Sequence, residues 1–361
     1  MEQKRYRVGI IGATGMVGQR FALLLENHPW FEVTALAASA RSAGKTYGEL
    51  METRWLLKDA PCPEKLKPLT VMDATADIDK VTALVDFVFC AVDIPKDETR
   101  ALEDAYALAE CPVVSSNSAH RWTPDVPMVV PELNAKHAEV IPAQRKRLGT
   151  RRGFVAVKSN CSLQSYVPAL FPLPDVQDVL VCTYQAISGA GKNFDTWPEM
   201  LDNVIPFIGG EEEKSEREPL KIYGEVKGGG IENATLPNFT AQCIRVPVTD
   251  GHMAAVYFRF ASGKKMAKEA ILEVWRDFKG AAQQLDLPSA PKQFLHYFTE
   301  DNMPQTKLCR DLDGGMAVSV GRLREDTQYD YKFVCLSHNT LLGAAGGSVL
   351  TAELLCAQNY I

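Results

Sequence analysis

The sequence predicts an α/β fold whose first part is a parallel sheet covered by helices on both faces. Short, mainly apolar runs at 6–12, 31–39 and 86–93 have the pattern of buried strands. Helical spacing of apolar residues separates the first two runs, and a second helical pattern covers 96–110. Strands that alternate with helices across short connections are typical of such a sheet.

A different pattern begins after about residue 155 and predicts an α+β region. Long runs with partial alternation of apolar and polar residues occur at 179–189, 239–248, 251–260, 316–326 and 330–339. Alternation over such lengths favours a mostly antiparallel sheet. Amphipathic spacing predicts one helix over 267–285, and a glycine- and alanine-rich helix is expected over about 341–358.

Composition and charge argue against several classes of protein. The chain has 361 residues and a net charge of −6, which is unfavourable for a nucleic-acid partner. It shows no apolar leader and no apolar run long enough to span a membrane. Its nine cysteines include no C-x-x-C pair, so neither a disulfide framework nor a metal site is expected. We therefore expect a soluble, cytoplasmic protein without a membrane partner.

Three glycines between the first strand and the first helix indicate a phosphate-binding turn. Gly12, Gly15 and Gly18 have the spacing G-x-x-G-x-x-G, a variant of the dinucleotide fingerprint. Glycines there allow backbone N–H groups to approach a pyrophosphate at the helix N-terminus. This context predicts a Rossmann-like domain, the alternative being a purely structural turn.

The end of the second predicted strand indicates which dinucleotide is bound. An NAD site has an acidic residue there for the ribose 2′-hydroxyl, whereas this chain has Ser39, Arg41 and Ser42. A guanidinium and two hydroxyls suit a 2′-phosphate, so NADP is the expected cofactor. The alternative is a polar surface loop.

Cys161 lies where a predicted strand gives way to a helix, and a helix N-terminus favours the thiolate form of cysteine. Together with NADP, such a cysteine suggests aldehyde chemistry through a hemithioacetal and a thioester. This chemistry needs an acid/base, and His252 follows Asp250 and Gly251 in a tight turn between two strands. By position alone, either residue could equally be structural.

Eight dispersed motifs together resemble the aspartate-semialdehyde dehydrogenase family, in detail its archaeal and fungal branch. In chain order they are GATGMVG, SARSAGK, SSNSAHRW, SNCS, QAISGAGK, EEEK, IRVPVTDGH and HNTLLGAAGGSV. The resemblance covers essentially the whole chain. It implies reduction of aspartyl-4-phosphate to aspartate semialdehyde with NADPH and release of phosphate, in the synthesis of threonine, methionine and lysine.

The resemblance also implies roles for residues around the reacting group. Cys161 matches the nucleophile, His252 the acid/base and Gln185 the residue that orients the substrate. The substrate-binding positions are Arg245 for the carboxylate, Glu211 for the ammonium, Lys214, Arg121 and Asn117 for phosphate, and Asn160 beside the nucleophile. Because three glutamates run together, Glu212 is an alternative to Glu211. Without the resemblance, the charged run 209–221 reads as a solvated surface segment.

The implied cofactor-binding positions fall in four segments of the chain. They are Gly12, Thr14, Gly15, Met16 and Val17, then Ser39, Arg41 and Ser42, then Ser188 and Gly189, and finally Asn339 and Thr340. Because Asn339 must reach the nicotinamide, the C-terminal helix is expected to return to the first domain. We therefore expect an NADP-binding domain of 1–157 plus 339–361, with an inserted catalytic and dimerisation domain of 158–338. A homodimer or homotetramer is implied.

Two alternative functions remain open from the sequence. N-acetyl-glutamyl-phosphate reductase and archaeal malonyl-CoA reductase also use a cysteine nucleophile with a histidine acid/base. The choice of substrate is therefore decided by only a few residues. A non-catalytic NADP sensor is the alternative from another class. The reductases are distinguished by comparing turnover of aspartate semialdehyde with phosphate and NADP against turnover of malonyl-CoA with NADPH. A sensor is indicated if the intact protein shows no turnover and a Cys161→Ser variant retains its effect on a partner.

Overall fold

The structure, a computed structural model, describes residues 5–58 and 60–361, so the first four residues of the expected first domain lie outside the described residues. A sheet of seven parallel strands forms the first part, in the order β3-β2-β1-β4-β5-β7-β6. Its strands are β1 (Tyr6–Ile11), β2 (Phe31–Ala38), β3 (Val71–Asp73), β4 (Phe87–Cys90), β5 (Val113–Ser115), β6 (Met128–Val129) and β7 (Val155–Lys158). Its helices are α1 (Met16–Leu25), α2 (Tyr47–Arg54), α3 (Ile78–Leu84), α4 (Lys96–Leu108) and α5 (Ile141–Leu148).

The order of these strands confirms the predicted Rossmann-like architecture. The order in which strands are added reverses between β1 and β4, because the chain builds outward from β1 on one side and then continues from β4 on the other. Ligands of such sheets bind at the carboxyl ends of the strands beside that point. The turn that carries Gly12 follows β1 directly, so it lies at this position. Both faces of β4 are buried, as its continuous apolar sequence predicts.

A six-stranded sheet forms the second part, in the order β11-β8-β12-β15-β14-β13. Its elements are α6 (Leu163–Leu170), β8 (Val176–Gln185), α7 (Glu211–Ile222), the small hairpin β9 (Glu225–Lys227) and β10 (Gly230–Glu232), β11 (Asn238–Arg245), β12 (His252–Phe260), α8 (Lys268–Asp277), α9 (Ala281–Gln284), β13 (Leu295–Phe298), α10 (Thr306–Cys309), β14 (Val318–Glu325) and β15 (Tyr331–Ser337).

This sheet is mixed, so the expected mostly antiparallel sheet is not confirmed. The three central pairings are antiparallel, and the pairings β11–β8 and β13–β14 at the two edges are parallel. Each parallel pairing is reached through a crossover, with α7 between β8 and β11 and α10 between β13 and β14. A crossover returns the chain to its starting end and imposes parallel pairing, which alternation along a single strand does not reveal.

The single helix expected over 267–285 is interrupted. It divides into α8 and α9, and Gly280 at the division packs against the backbone of Glu132 so closely that a Cβ would overlap the Glu132 carbonyl oxygen. A close backbone approach of this kind requires glycine. The first helix has by then ended at Asp277, since the backbone of Phe278 is extended with ψ at 125°.

The last helix, α11 (Ala345–Ala357), packs against α1 and against β5 and β7 of the first sheet. Glycines at its start permit this packing, since a Cβ at Gly347 would overlap the side chain of Lys158. No helix within the described residues is long and apolar enough to cross a membrane.

Candidate active site

Three strand ends of the second sheet meet where the predicted chemistry lies. Strand β8 ends at Gln185, its parallel neighbour β11 ends at Arg245, and its antiparallel neighbour β12 begins at His252. Gln185 and Arg245 are register partners, and all three side chains are buried. The topology of the sheet therefore brings together residues that are up to 67 positions apart in the sequence (252 minus 185).

Cys161 reaches this strand end from the loop between β7 and α6. Its Sγ lies 3.5 Å from Nε2 of His252. The other ring nitrogen, Nδ1, accepts the backbone N–H of Ala186 at 3.1 Å. In a neutral imidazole only one nitrogen carries hydrogen, so this bond assigns the proton to Nε2 and directs Nε2–H at the sulfur.

Burial and nearby charges set the protonation of this pair. Burial lowers the pKa of His252 to about 3, and the Arg245 guanidinium acts in the same direction. Burial also raises the pKa of the Cys161 thiol to about 11, with the Glu211 carboxylate contributing. Lys158, Arg121 and Arg245 oppose that rise. The imidazole is therefore neutral, and reactivity of the thiol depends on how much positive charge acts on it.

Glu211 at the start of α7 forms a buried polar cluster beside the cysteine. Asn160 Nδ2 lies 3.1 and 3.0 Å from the two carboxylate oxygens and donates to them. The carboxylate also accepts hydrogen bonds from Lys214 Nζ at 2.6 Å and from Gln185 Nε2 at 3.4 Å. Although burial alone raises the pKa of Glu211, Lys214 and the amide donors lower it overall. Glu212 instead accepts Gln242 Nε2, so it is Glu211 that faces the site.

The two other predicted phosphate contacts are already engaged. Arg121 donates to Glu218 and to the carbonyl of Lys158, both at 2.9 Å, in a buried ion pair. The amide of Asn117 bonds at both ends to the backbone of Val92, so it holds the loop after β4. Neither side chain contacts Cys161 by a hydrogen bond.

Sequence reasoning missed three charged residues of this region. Glu218 accepts the backbone N–H of Asn160 at 2.6 Å, Lys221 donates to three carbonyls, and Lys158 is buried three positions before Cys161. A signal existed for the first two, because Glu211, Glu218 and Lys221 lie on the buried side of α7. For Lys158 the only sequence signal was a lysine at the end of an apolar strand.

The glycine turn fits a dinucleotide. A Cβ at Gly18 would overlap the Gly12 carbonyl oxygen, so glycine is required for α1 to start this close to β1. Gly15 caps α1 without any side-chain hydrogen bond, which leaves the first-turn N–H groups of Met16 and Val17 for an anion. Thr14 and these residues are partly or fully exposed along the open side of the turn.

The loop after β2 carries the predicted 2′-phosphate site. Ser39 and Arg41 are exposed there, while Ser42 is buried and accepts Arg54 Nη1 at 3.0 Å. Arg54 was not predicted, and it adds a second guanidinium to the same loop region.

A cavity of about 380 Å³ connects the two parts of the predicted cofactor site. Met16 and Ser188 lie on its wall. Asn339 donates to Ser188 Oγ at 2.8 Å and accepts the N–H of Gly251 at 2.8 Å, and Thr340 is buried beside it. A Cβ at Gly189 would lie 2.9 Å from Arg245 Nη1 and 3.0 Å from the His252 ring, so no side chain fits between this turn and those two residues.

Comparison with known proteins agrees with this geometry. Residues 7–141 match the model for the semialdehyde dehydrogenase NAD-binding domain, and residues 168–342 match that for the semialdehyde dehydrogenase dimerisation domain. The chain is 43% identical to an aspartate-semialdehyde dehydrogenase of Methanothermobacter thermautotrophicus over 96% of this chain and 98% of that protein. It is 40% identical to one of Aspergillus fumigatus, with 98% of each chain covered.

A solved structure of aspartate-semialdehyde dehydrogenase with NADP from Candida albicans superimposes with a TM-score of 0.88. That chain is 37% identical to this one, and the match covers 99% of this chain and 100% of that chain. Identity at this level over the full length, together with both domain models, establishes the relationship. The chain belongs to the aspartate-semialdehyde dehydrogenase family.

Proposed function

We propose that this protein is an NADP-dependent aspartate-semialdehyde dehydrogenase that converts L-aspartyl-4-phosphate to L-aspartate 4-semialdehyde and phosphate. The observation that carries the proposal is the convergence of Cys161 and His252 with Arg245, Gln185 and Glu211 at one strand end. The product would enter the synthesis of threonine, methionine and lysine, and the relatives' shared name supports this assignment.

Cys161 acts as the nucleophile in this proposal. Its thiolate forms a C–S bond with the acyl carbon, the carbon–oxygen bond to phosphate breaks, and phosphate leaves with the electron pair. The chemistry that NADPH would supply when bound is the hydride for reduction of the resulting thioester. His252 Nε2–H, directed at the sulfur, donates its proton to the carbonyl oxygen and then recovers it as the C–S bond breaks and the aldehyde forms.

Charged side chains around the cysteine hold the substrate. Arg245, with one amino group bonded to Ala186 O at 2.6 Å, retains other donors for the substrate carboxylate. Glu211 binds the ammonium, and Gln185 and Asn160 keep its carboxylate in place. The phosphate group of the substrate is proposed to lie beside Lys214, Arg121 and Asn117. Arg121 and Asn117 act mainly by holding in place the loops to which they are hydrogen-bonded.

NADP binding would use both walls of the cavity. The turn from Gly12 to Val17 takes the pyrophosphate, and Ser39, Arg41 and Ser42 take the 2′-phosphate. Ser188, Gly189, Asn339 and Thr340 lie on the nicotinamide side. The NADP complex of the Candida albicans relative supports this cofactor.

The substrate assignment is tested by comparing two reactions. Aspartate semialdehyde with phosphate and NADP should turn over at least about 10³-fold faster than malonyl-CoA with NADPH, judged by kcat/KM at 340 nm. Malonyl-CoA carries no ammonium, so the Glu211 carboxylate would keep only its contacts with Lys214, Asn160 and Gln185 and would gain no cation from the substrate. Faster malonyl-CoA reduction would contradict the proposal.

We further propose that 1–157 with 339–361 form the cofactor domain and 158–338 the catalytic domain, which the packing of α11 on α1, β5 and β7 supports. A homodimer or homotetramer is proposed through the second sheet. One face of this sheet packs against α6, and alternate residues of β8 and β12 on the other face are half-exposed. Nine free cysteines favour a reducing compartment such as the cytoplasm.

A further inference from the structure

Glu218 is a buried carboxylate on α7 to which neither the sequence patterns nor the proposed reaction gives a role. Only 1% of its side chain is exposed, and it lies about two helical turns after Glu211. Its Oε1 accepts a hydrogen bond from Arg121 Nη1 at 2.9 Å, and its Oε2 accepts the backbone N–H of Asn160 at 2.6 Å. The carboxylate therefore connects Arg121 with the residue that directly precedes Cys161.

The same ion pair holds the backbone before the cysteine at a second point. Arg121 Nε donates to the carbonyl oxygen of Lys158 at 2.9 Å. The C=O of Lys158 and the N–H of Asn160 are thus bound by the two partners of one buried ion pair, Arg121 and Glu218. Because a guanidinium and a carboxylate are rigid planar groups with fixed directions for their hydrogen bonds, the pair fixes this stretch of backbone.

Stability alone is a weak explanation for an ion pair at this depth. Both charges lose their hydration on burial, and apolar side chains of similar volume are often as stable or more stable in such a place. Removing one partner, in contrast, leaves an uncompensated buried charge. Specification of one backbone conformation is the role that fits the contacts of Glu218 and Arg121, because both partners bind the segment 158–160.

The side chain of Asn160 is held from the same helix. Its Nδ2 donates to the two Glu211 oxygens at 3.1 and 3.0 Å. Its Oδ1 accepts the backbone N–H of Ser162 at 2.8 Å and the Ser162 hydroxyl at 2.6 Å. Cys161 is the residue enclosed between Asn160 and Ser162. Since the backbone N–H, the amide nitrogen and the amide oxygen of Asn160 are all engaged, the direction of the cysteine depends on α7.

The catalytic pair is assembled from two separately held parts. His252 begins β12 and accepts the N–H of Ala186 at 3.1 Å, so the second sheet fixes its ring. Cys161 reaches the ring from the loop after β7, and its Sγ lies 3.5 Å from His252 Nε2. A misplacement of about 1 Å between reacting groups can lower a rate about 10²-fold, so the loop must be held as firmly as the histidine.

We propose that Glu218 is a positioning residue of the active site, which acts through Asn160 by directing the Cys161 sulfur at His252. The inference deepens the proposed function and rests on it for the role of Cys161. It also gives Arg121 a defined part, since its Nε and Nη1 complete the clamp on the segment 158–160.

The experiment compares wild type with Glu218→Gln. Glutamine keeps the size of the side chain but replaces one acceptor oxygen with an NH2 donor, so either the Asn160 N–H or the Arg121 guanidinium then meets a donor. The matched control is Glu213→Gln on the same helix, because that side chain is 66% exposed. The readout is the burst of NADPH formed from aspartate semialdehyde and NADP without phosphate, which requires the nucleophile but not the phosphate site.

The rate constant and the amplitude of the burst separate positioning from folding. E218Q should lower the rate constant at least about 10-fold, while the amplitude stays near about one NADPH per chain. The Kd for NADP should stay within about 3-fold of wild type, the KM for phosphate should not rise, and E213Q should match wild type within about 2-fold throughout. A merely structural glutamate would instead lower the amplitude, through loss of folded protein, and leave the rate constant unchanged.

Crystal structures supply a readout that needs no substrate. In E218Q the Cys161 Sγ should lie at least about 1 Å farther from His252 Nε2 than the 3.5 Å of wild type, and E213Q should keep the wild-type separation. If E218Q does not fold, the double variant Arg121→Met with Glu218→Met replaces it. That variant removes both buried charges and leaves the backbone groups of Lys158 and Asn160 unheld, so the same two results are expected.

An unchanged burst rate constant in folded E218Q would overturn the proposal, as would an unchanged separation of Cys161 Sγ and His252 Nε2. An unchanged burst with a raised KM for phosphate would also overturn it and place Glu218, through Arg121, on the phosphate side. If wild type gives no burst with aspartate semialdehyde while the crystal structures show the expected displacement, the result counts against the proposed function alone.

Discussion

At the scale of single residues, the state of the Cys161–His252 pair depends on groups that hold charge around it. The Ala186 N–H fixes the histidine tautomer, and burial keeps the ring neutral. Glu211 raises the pKa of the thiol, so a substrate ammonium bound to Glu211 would cancel part of that effect. Nucleophile activation would then follow binding of an amino-acid substrate.

His252 should make the protein sensitive to acid. Its folded pKa of about 3 lies below its ordinary 6.5, so between these values the unfolded chain binds more protons and stability falls as pH falls. Between pH 6.5 and 4.5 the free energy of unfolding should fall by about 2 kcal/mol more in wild type than in His252→Gln. Urea unfolding of both proteins at each pH measures this difference, and parallel curves of stability against pH would refute the assignment. His338, whose pKa is lowered to about 4, is present in both proteins, so its contribution cancels in the comparison.

Arg41 should decide the choice between the two dinucleotides. Its exposed guanidinium at the end of β2 is proposed to bind the 2′-phosphate, which NAD lacks. Arg41→Ala should raise the Kd for NADP about 10- to 100-fold and leave that for NAD within about 2-fold. Fluorescence titration with both dinucleotides measures the two constants, and equal losses would rule out the 2′-phosphate contact.

At the scale of elements, the short turn after β8 packs directly against Arg245 and His252. Gly189→Ala would bring a Cβ to 2.9 Å from Arg245 Nη1 and 3.0 Å from His252, so the turn or these side chains must shift. We expect kcat/KM to fall at least about 10-fold with the circular dichroism spectrum unchanged. Gly209→Ala is the matched control, because a Cβ there meets no atom within 4 Å, and equal activity of both variants would contradict this account.

Elements differ in how much of them the sequence reveals. Strands β1, β2 and β4 of the first domain and the glycine turn follow from local pattern, since they depend on neighbours in the chain. Helix α7 shows the opposite case, because its run of charges reads as solvated although Glu211, Glu218 and Lys221 are buried. Their partners, among them Asn160 and Arg121, come from distant segments, so burial of these charges is a property of the tertiary structure.

The same reasoning explains the helix that was predicted wrongly and the sheet whose expected pairing is not confirmed. Helical spacing continues through 267–285, yet the backbone becomes extended at Phe278 and Gly280 packs against Glu132 before a second helix begins. Alternation identifies β8 and β11 as strands but carries no information on their relative direction, which the α7 crossover imposes. Lys158 stayed unassigned for a related reason, since its burial is not visible in a linear sequence.

At the scale of the whole molecule, the open face of the second sheet should form the subunit interface. Ala255 lies at its centre, paired with Cys182 on β8 and Val334 on β15. Ala255→Arg should convert the assembly to monomers, because it places a charge within an apolar contact. Sedimentation velocity measures this, with Ala357→Arg on the exposed end of α11 as control; an unchanged A255R assembly would place the interface elsewhere.

The central claim, that Cys161 carries the acyl group, is tested most directly by trapping that group. Wild type mixed with aspartate semialdehyde and NADP, but no phosphate, should release about one NADPH per chain in a burst and then slow, because no phosphate opens the thioester. Acid quench and peptide mass analysis should find the aspartyl group on Cys161, and Cys161→Ala should give neither burst nor adduct while still binding NADP. An adduct on another residue, or turnover in C161A, would contradict the account.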